Sequence, residues 1–151
     1  MKLGVGQDNF VWGKDNPAGL HLDIVHGDGW AETHWKATGN YVGYDNIIHG
    51  GIMATILDDM MGPPAIYMNV QVVTAHLEMD YRTPAHVGDE LDFRTWIVEY
   101  GGRKSIKMAG QVKRGDTVIA EAKSVMVIVG SWDEEELAEL EKQRRISGDA
   151  K

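Results

Sequence analysis

Residues 47–64, IIHGGIMATILDDMMGPP, decide how the rest of the chain is read. Ile52, Met53, Ile56, Leu57, Met60 and Met61 recur at the i, i+1, i+4, i+5 spacing of a helix, which predicts a helix over 50–62 with one wide apolar face. The other face carries Gly51, Ala54, Thr55, Asp58 and Asp59, all small or polar. Pro63 and Pro64 lack an N–H and forbid continuation. At the opposite end, His49-Gly50-Gly51 leaves backbone N–H groups uncovered where the helix begins and its dipole is positive. Such a spot can hold an oxyanion. Asp58, further along in a mostly apolar setting, is the kind of carboxylate that serves as general base or nucleophile.

On either side of this helix the pattern is that of strands. Residues 20–26 and 30–38 read as extended, separated by Gly27-Asp28-Gly29, a strong hairpin signal. Residues 69–82, 90–100, 103–113 and 117–129 follow as further strands, with turns at His86-Val87-Gly88-Asp89, Gly101-Gly102 and Arg114-Gly115-Asp116. In VVTAHLEMDY, residues 72–81, the alternation places Val73, Ala75, Leu77, Met79 and Tyr81 on a buried face. Thr74, His76, Glu78 and Asp80 fall on the wetter one. Short links imply an antiparallel sheet, and the apolar helix is expected on its concave face. Residues 1–18 read as an irregular lead-in with Phe10, Val11 and Trp12 available for packing. Residues 131–151 read as a surface helix or frayed tail, with Ser131 and Glu134 resembling a capping box.

Composition bounds the function. A length of 151 residues suits one domain, and 43% apolar with 25% charged residues is an ordinary globular balance. No apolar run reaches the ~20 residues that span a bilayer, and MKLGVGQDNF lacks the apolar core of a signal peptide. The absence of cysteine excludes disulfide and thiolate chemistry and fits a reducing compartment, so a cytoplasmic protein is expected. A net charge of −8 argues against nucleic acid as a partner and requires a local basic patch for any anionic ligand. His21, His26, His34, His76 and His86 show no metal-ligand spacing, so no metal is expected. Met53, Met60, Met61, Met68 and Met79 read as ordinary core rather than as an adaptable acyl pocket.

Two strands, a glycine-led apolar helix, then four antiparallel strands is the order of the hotdog fold. VGYDNIIHGGIMATILDDMMG (42–62) and VVTAHLEMDYRTPAHVGDEL (72–91) resemble the HGG-containing acyl-CoA thioesterases, relatives of the phenylacetate-pathway thioesterase and of the mammalian thioesterase-superfamily members. The resemblance covers about 40–130. HGG alone is weak; His49 followed nine residues later by Asp58 and then sixteen later by Thr74, in a strand ending Tyr81-Arg82-Thr83-Pro84, is much more specific.

The resemblance implies a single α+β hotdog domain, a sheet wrapped around one central helix, assembled as a dimer or a dimer of dimers. It implies hydrolysis of an acyl-CoA thioester with no cofactor beyond the coenzyme A of the substrate. Gly50 would supply the N–H that polarises the thioester carbonyl, with His49 shaping the turn and Gly51 beside the substrate. Asp58 would activate water or attack the carbonyl, and Thr74 would position the water or the acid; threonine is also a common strand residue, so a structural role stays open. Coenzyme A is polyanionic, and Arg82, Arg103 and Lys104 at strand ends are the cations expected to meet it, with Lys107 next. One departure stands out: Gly43 occupies the position of an Asn or Gln in many relatives, and Asn46 lies elsewhere in the loop and is left out of the catalytic set.

At ~100° per residue, nine positions put His49 and Asp58 on opposite sides of one helix. A single helix therefore does not easily aim both at one substrate; the resemblance implies a dimer in which Gly50 of one subunit faces Asp58 of the other, and the spacing here is compatible with that. The rivals are a hotdog hydratase or dehydratase, which usually sets an acid before a histidine on the helix, the reverse of the order here, and a non-catalytic acyl-CoA binding module.

Overall fold

The computed structural model describes Leu3, residues 6–100, Gly102 and residues 104–144. After the lead-in, β1 (Val25–Gly27) and β2 (Trp30–Lys36) form a hairpin. It turns through Gly29 at φ 82°, a left-handed conformation that favours glycine. A small ladder of β3 (Val42–Tyr44) and β4 (Ile47–Ile48) leads into α1 (Gly50–Asp59). Then come β5 (Gln71–Tyr81), β6 (Glu90–Tyr100), β7 (Ser105–Arg114), β8 (Thr117–Gly130) and α2 (Glu134–Arg144). The main sheet has six antiparallel strands in the order β1-β2-β6-β7-β8-β5, and α1 packs against one of its faces. This is the hotdog arrangement.

α1 ends at Asp59, short of the expected 62. The N–H groups of Met61 and Gly62 donate to the carbonyls of Asp58 and Asp59, the tighter i→i+3 pattern, because the prolines that follow have no N–H to extend an α-helix. Pro63 and Pro64 open a 3-10 turn over Pro63–Met68.

The core side of the sheet is read from alternation. On β2, Ala31, Thr33 and Trp35 are buried; on β6, Leu91, Phe93 and Thr95; on β7, Ile106, Met108 and Val112. Met53, Ile56, Leu57, Met60 and Met61 of the helical segment close over them, fully buried as their spacing predicts. Gly110 is bare for a reason: a Cβ there would stand 3.2 Å from Leu57 Cδ2, so its absence lets helix and sheet approach. Buried Thr95 Oγ1 donates to the Met60 carbonyl at 2.6 Å, tying the end of the helix to β6.

On β5 the expected alternation fails at one point. Thr74 pairs with Met126 and His76 with Val125, leaving Ala75 as a bulge. Below it Leu77, Met79 and Tyr81 face the core side, as expected. Above it the phase is reversed, so Thr74, expected on the wet face, points toward α1 instead, and Ala75 is exposed.

Among the described residues, the segments on either side of the sheet pack more closely than expected, and the tail expected over 145–151 lies outside those residues. Val11 is buried, with Phe10 and Trp12 packed beside it. The capping box of α2 forms two residues later than Ser131-Glu134: Glu136 N–H donates to Asp133 Oδ1 at 2.8 Å and Asp133 N–H to Glu136 Oε2 at 3.0 Å. Leu140 is buried, and Gln7 Nε2 donates to Glu139 Oε1 at 3.1 Å, so α2 is docked onto the lead-in rather than frayed.

Candidate active site

At the start of α1, His49 is the N-cap. Its Nδ1 accepts from the Gly51 N–H at 2.9 Å, so a neutral ring carries its proton on Nε2. Gly51 must lack a side chain for this contact, since a Cβ would lie 2.9 Å from the imidazole. Gly50 faces Tyr81: a Cβ would meet the phenol ring at 3.1 Å, and Tyr81 Oη donates to the Gly50 carbonyl at 2.7 Å. Partial burial raises the pKa of that phenol, keeping it the donor. Among the described residues no acceptor meets the Gly50 N–H, which is left pointing out of a positive helix end.

One carboxylate is set at the other end of α1. Thr74 Oγ1 donates to Asp58 Oδ1 at 2.7 Å and also lies 3.5 Å from Met126 Sδ. The neighbour Asp59, expected to be solvated, is half-buried and accepts from Asn9 Nδ2 at 2.6 Å. Asn9 Oδ1 in turn accepts from the Val11 and Trp12 N–H groups at 2.7 and 3.0 Å, so the lead-in is fastened beside Asp58.

The predicted residues therefore fall into two groups. Asp58 and Thr74 line one cavity of about 410 Å³. Gly50 and Arg82 share a separate cleft of about 290 Å³, while His49 and Gly51 face a third of about 400 Å³. One chain does not bring Gly50 and Asp58 together. Arg82 is engaged by Glu121 at 2.9 Å, and Lys107 by Glu99 at 3.6 Å. Lys104, whose carbonyl accepts from Ile128 N–H, stands at the Val72 end of β5, roughly 30 Å along the strand from Arg82 at ~3.3 Å per residue. Arg103 lies outside the described residues. No cluster of His, Asp or Glu placed to hold a metal occurs among the described residues.

Two residues of the site escaped the sequence reading. Tyr81 falls on the expected buried face of β5, and the need of a tyrosine there for a hydroxyl partner is the signal that points to the site. Asn9, in an irregular segment, carried none.

Residues 45–121 match the thioesterase superfamily. The chain belongs to that superfamily. This thioesterase-superfamily chain is 36% identical over 56 residues to the acyl-coenzyme A thioesterase THEM4 of Xenopus laevis, a match spanning 37% of this chain and a quarter of that relative's length. Among solved structures it resembles a Streptococcus mutans UA159 protein bound to acetyl CoA, with TM-score 0.70 and 22% identity over 74% of this chain and 91% of that one. A hypothetical thioesterase of Streptococcus pneumoniae TIGR4, solved with coenzyme A, superposes with TM-score 0.70 at 21% identity over 74% of this chain and 88% of that one. The pneumococcal protein was also solved as two variants, one with an Asp and one with a Thr replaced by Ala, at positions sixteen apart. At these identities the structural likeness establishes the hotdog fold. No helix among the described residues is long and apolar enough to cross a membrane.

Proposed function

We propose that this protein hydrolyses an acyl-CoA thioester, and that two copies of the chain build each active site. The observation that carries the reading is the division of the site: an ionisable carboxylate held by Thr74 at one end of α1, and a bare Gly50 N–H beside Arg82 at the other, in separate cavities. Each half lacks what the other has. β5 is an edge of the sheet and is eleven residues long, a template for pairing with a second β5. A partner related by a twofold axis and running antiparallel along β5 carries its Tyr81 end, with Gly50 and Arg82, toward the Asp58 and Lys104 end of its mate.

In that site the partner's Gly50 N–H and helix dipole bind the thioester carbonyl oxygen, and negative charge develops there as the carbon becomes tetrahedral. One such donor is worth ~3–4 kcal/mol in comparable acyl transfers. Thr74 occupies Asp58 Oδ1, fixing the carboxylate and leaving Oδ2 to meet the reacting partner. Asp58 either takes a proton from water as that water attacks, or attacks itself to give an anhydride that water then opens. Both routes consume one water, break the C–S bond and yield a carboxylic acid and coenzyme A thiol. Arg82 and Lys104 are the cations for its phosphates.

Three comparisons support the reading: THEM4 is an acyl-CoA thioesterase, the streptococcal neighbours hold acetyl CoA or coenzyme A, and the sixteen-residue spacing of the pneumococcal Asp and Thr equals that of Asp58 and Thr74. The test is subunit mixing. Asp58→Asn removes the base, and Gly50→Pro, made together with Tyr81→Ala to clear the phenol that a Cβ at Gly50 would meet at 3.1 Å, removes the N–H at a helix position where proline's φ is tolerated. Each homodimer should release thiol from acyl-CoAs at least 100-fold more slowly than wild type. Co-expressed, the two variants should recover activity through hybrid dimers carrying one intact site. Full turnover by Asp58→Asn with acyl-CoA still bound refutes the mechanism; no recovery on mixing refutes the shared site.

A further inference from the structure

The cavity of about 410 Å³ beside Asp58 and Thr74 runs beneath both ends of the chain. Trp12, Ile66, Val72, Met126, Trp132 and Leu140 supply the apolar half of its lining, and Asn9, Asp58, Asp59 and Thr74 the polar half. Its volume lies within the ~300–1,000 Å³ of ligand pockets. The walls are fixed from outside. Trp132 Nε1 donates to the Val70 carbonyl at 3.1 Å, which orients that indole. Trp12 is carried on the turn that Asn9 organises and fastens to Asp59. Leu140 is held by docking of α2 on the lead-in.

Both tryptophans thus come from segments outside residues 45–121, which match the superfamily. Asp58, Asp59, Ile66, Val72 and Thr74, which line the same chamber, lie within those residues. We propose that the chamber receives the acyl group, and that Trp12 and Trp132 set the length of chain it accepts. The inference rests on reading Asp58 as the carboxylate that acts on the thioester.

Geometry sets the scale. Val70, bonded to Trp132, precedes Thr74 by four residues, which is roughly 13 Å at ~3.3 Å per residue. An extended chain covers ~3.5 Å in three bonds, so that span takes an apolar acyl group of about ten carbons. Asn9 and Asp59 satisfy each other at the wall, and the carboxylates of Asp58 and Asp59 disfavour an acyl group with its own terminal charge.

Two readouts test this on the full-length protein. The first uses decyl-CoA thioether, which cannot be hydrolysed, with tryptophan emission as the signal. Emission should change saturably with the thioether and not with coenzyme A alone, and the Trp12→Phe/Trp132→Phe double variant should lose most of the change. An equal signal from coenzyme A, or one retained in the double variant, overturns the chamber. The second compares kcat/KM for acyl-CoAs from two to sixteen carbons. Trp132→Ala removes the end wall and should raise the ratio of hexadecanoyl to decanoyl turnover at least tenfold; a ratio within threefold of wild type overturns the assignment. A thioether signal without hydrolysis of any acyl-CoA refutes Asp58 as the acting carboxylate and leaves the chamber standing. Hydrolysis without the signal refutes the chamber alone, and the absence of both refutes both.

Discussion

Thr74 Oγ1 reaches Asp58 Oδ1 at 2.7 Å because Ala75, the next residue along, is left out of the β5–β8 ladder. In an unbroken strand Thr74 would share a face with His76 and Glu78, which are exposed and 4.0 Å apart on the far side of the sheet. The bulge moves it to the helix side. Thr74→Val keeps the shape and removes the donor, so kcat for thioester hydrolysis should fall by ~10²-fold, the scale of a misplaced catalytic group, with KM little changed. Thr74→Ser should restore most of the loss. Steady-state kinetics on both variants check this; equal activity in Thr74→Val sinks the positioning role.

The same bulge marks where the sequence stops being legible. The apolar face of α1 could be read residue by residue, because a helical period repeats over six side chains that are all bulky, and five of them are fully buried. Five of the expected strands lie within two residues of those observed, but β1 begins at Val25 rather than at 20 and the short β3–β4 ladder carried no signal; Asp58 and Gly50 could be named as site candidates from the sequence. One inserted residue inverts a two-residue period, and a short alternating run contains nothing that announces it. The α2 cap slipped from Ser131 to Asp133 for a similar reason: WDEEE offers several acids at near-equivalent spacings, and only docking of Leu140 and Trp132 selects among them. Non-local contacts such as Asn9 to Asp59 leave no local trace at all.

Tyr81 and Gly50 form the second positioning pair. The phenol donates to the Gly50 carbonyl at 2.7 Å and its ring stands 3.1 Å from where a Gly50 Cβ would be, fixing the first peptide of the helix. Tyr81→Phe removes one hydrogen bond of ~1 kcal/mol. If the turn drifts by that amount, kcat falls about fivefold on the scale of 1.36 kcal/mol per decade. Gly50→Ala drives a methyl to 3.1 Å from the ring and should be more harmful, and adding Tyr81→Ala should relieve its effect on thermal stability. Melting temperatures of the two single variants and the double variant test the coupling; additive losses would exclude it.

His34 lies between two carboxylates on the outer face of the sheet, its Nδ1 2.7 Å from Asp92 Oδ1 and its Nε2 against Glu90. Hydrogen bonds to Asp92 and then Glu90 raise its pKa above the ordinary value of 6.5. A raised pKa means the folded state binds the proton more tightly. The stabilisation is therefore complete below pH ~6.5 and is lost as pH rises through the higher folded value. The imidazole is 53% exposed, so salt should weaken the effect. His34→Gln should lower the melting temperature at pH 6 and leave it close to wild type at pH 9. An equal loss at both pH values would show that the ring acts through packing instead.

Thr95 gives the sharpest test of how the helix is held. Its hydroxyl is buried and donates at 2.6 Å to the carbonyl of Met60, one of the groups that a helix end leaves without an internal partner. Thr95→Val conserves volume and strands that carbonyl in an apolar core, where an unmet acceptor costs about 1–3 kcal/mol. Thr95→Ser keeps the bond but leaves a methyl-sized gap beside Gly110, whose missing Cβ would lie 3.1 Å from Thr95 Cγ2. Chemical denaturation should rank wild type above Ser and Ser above Val. The reverse order would mean that filling the space between α1 and β7 matters more than capping the helix, and that the hydroxyl contributes little to holding Asp58 in place.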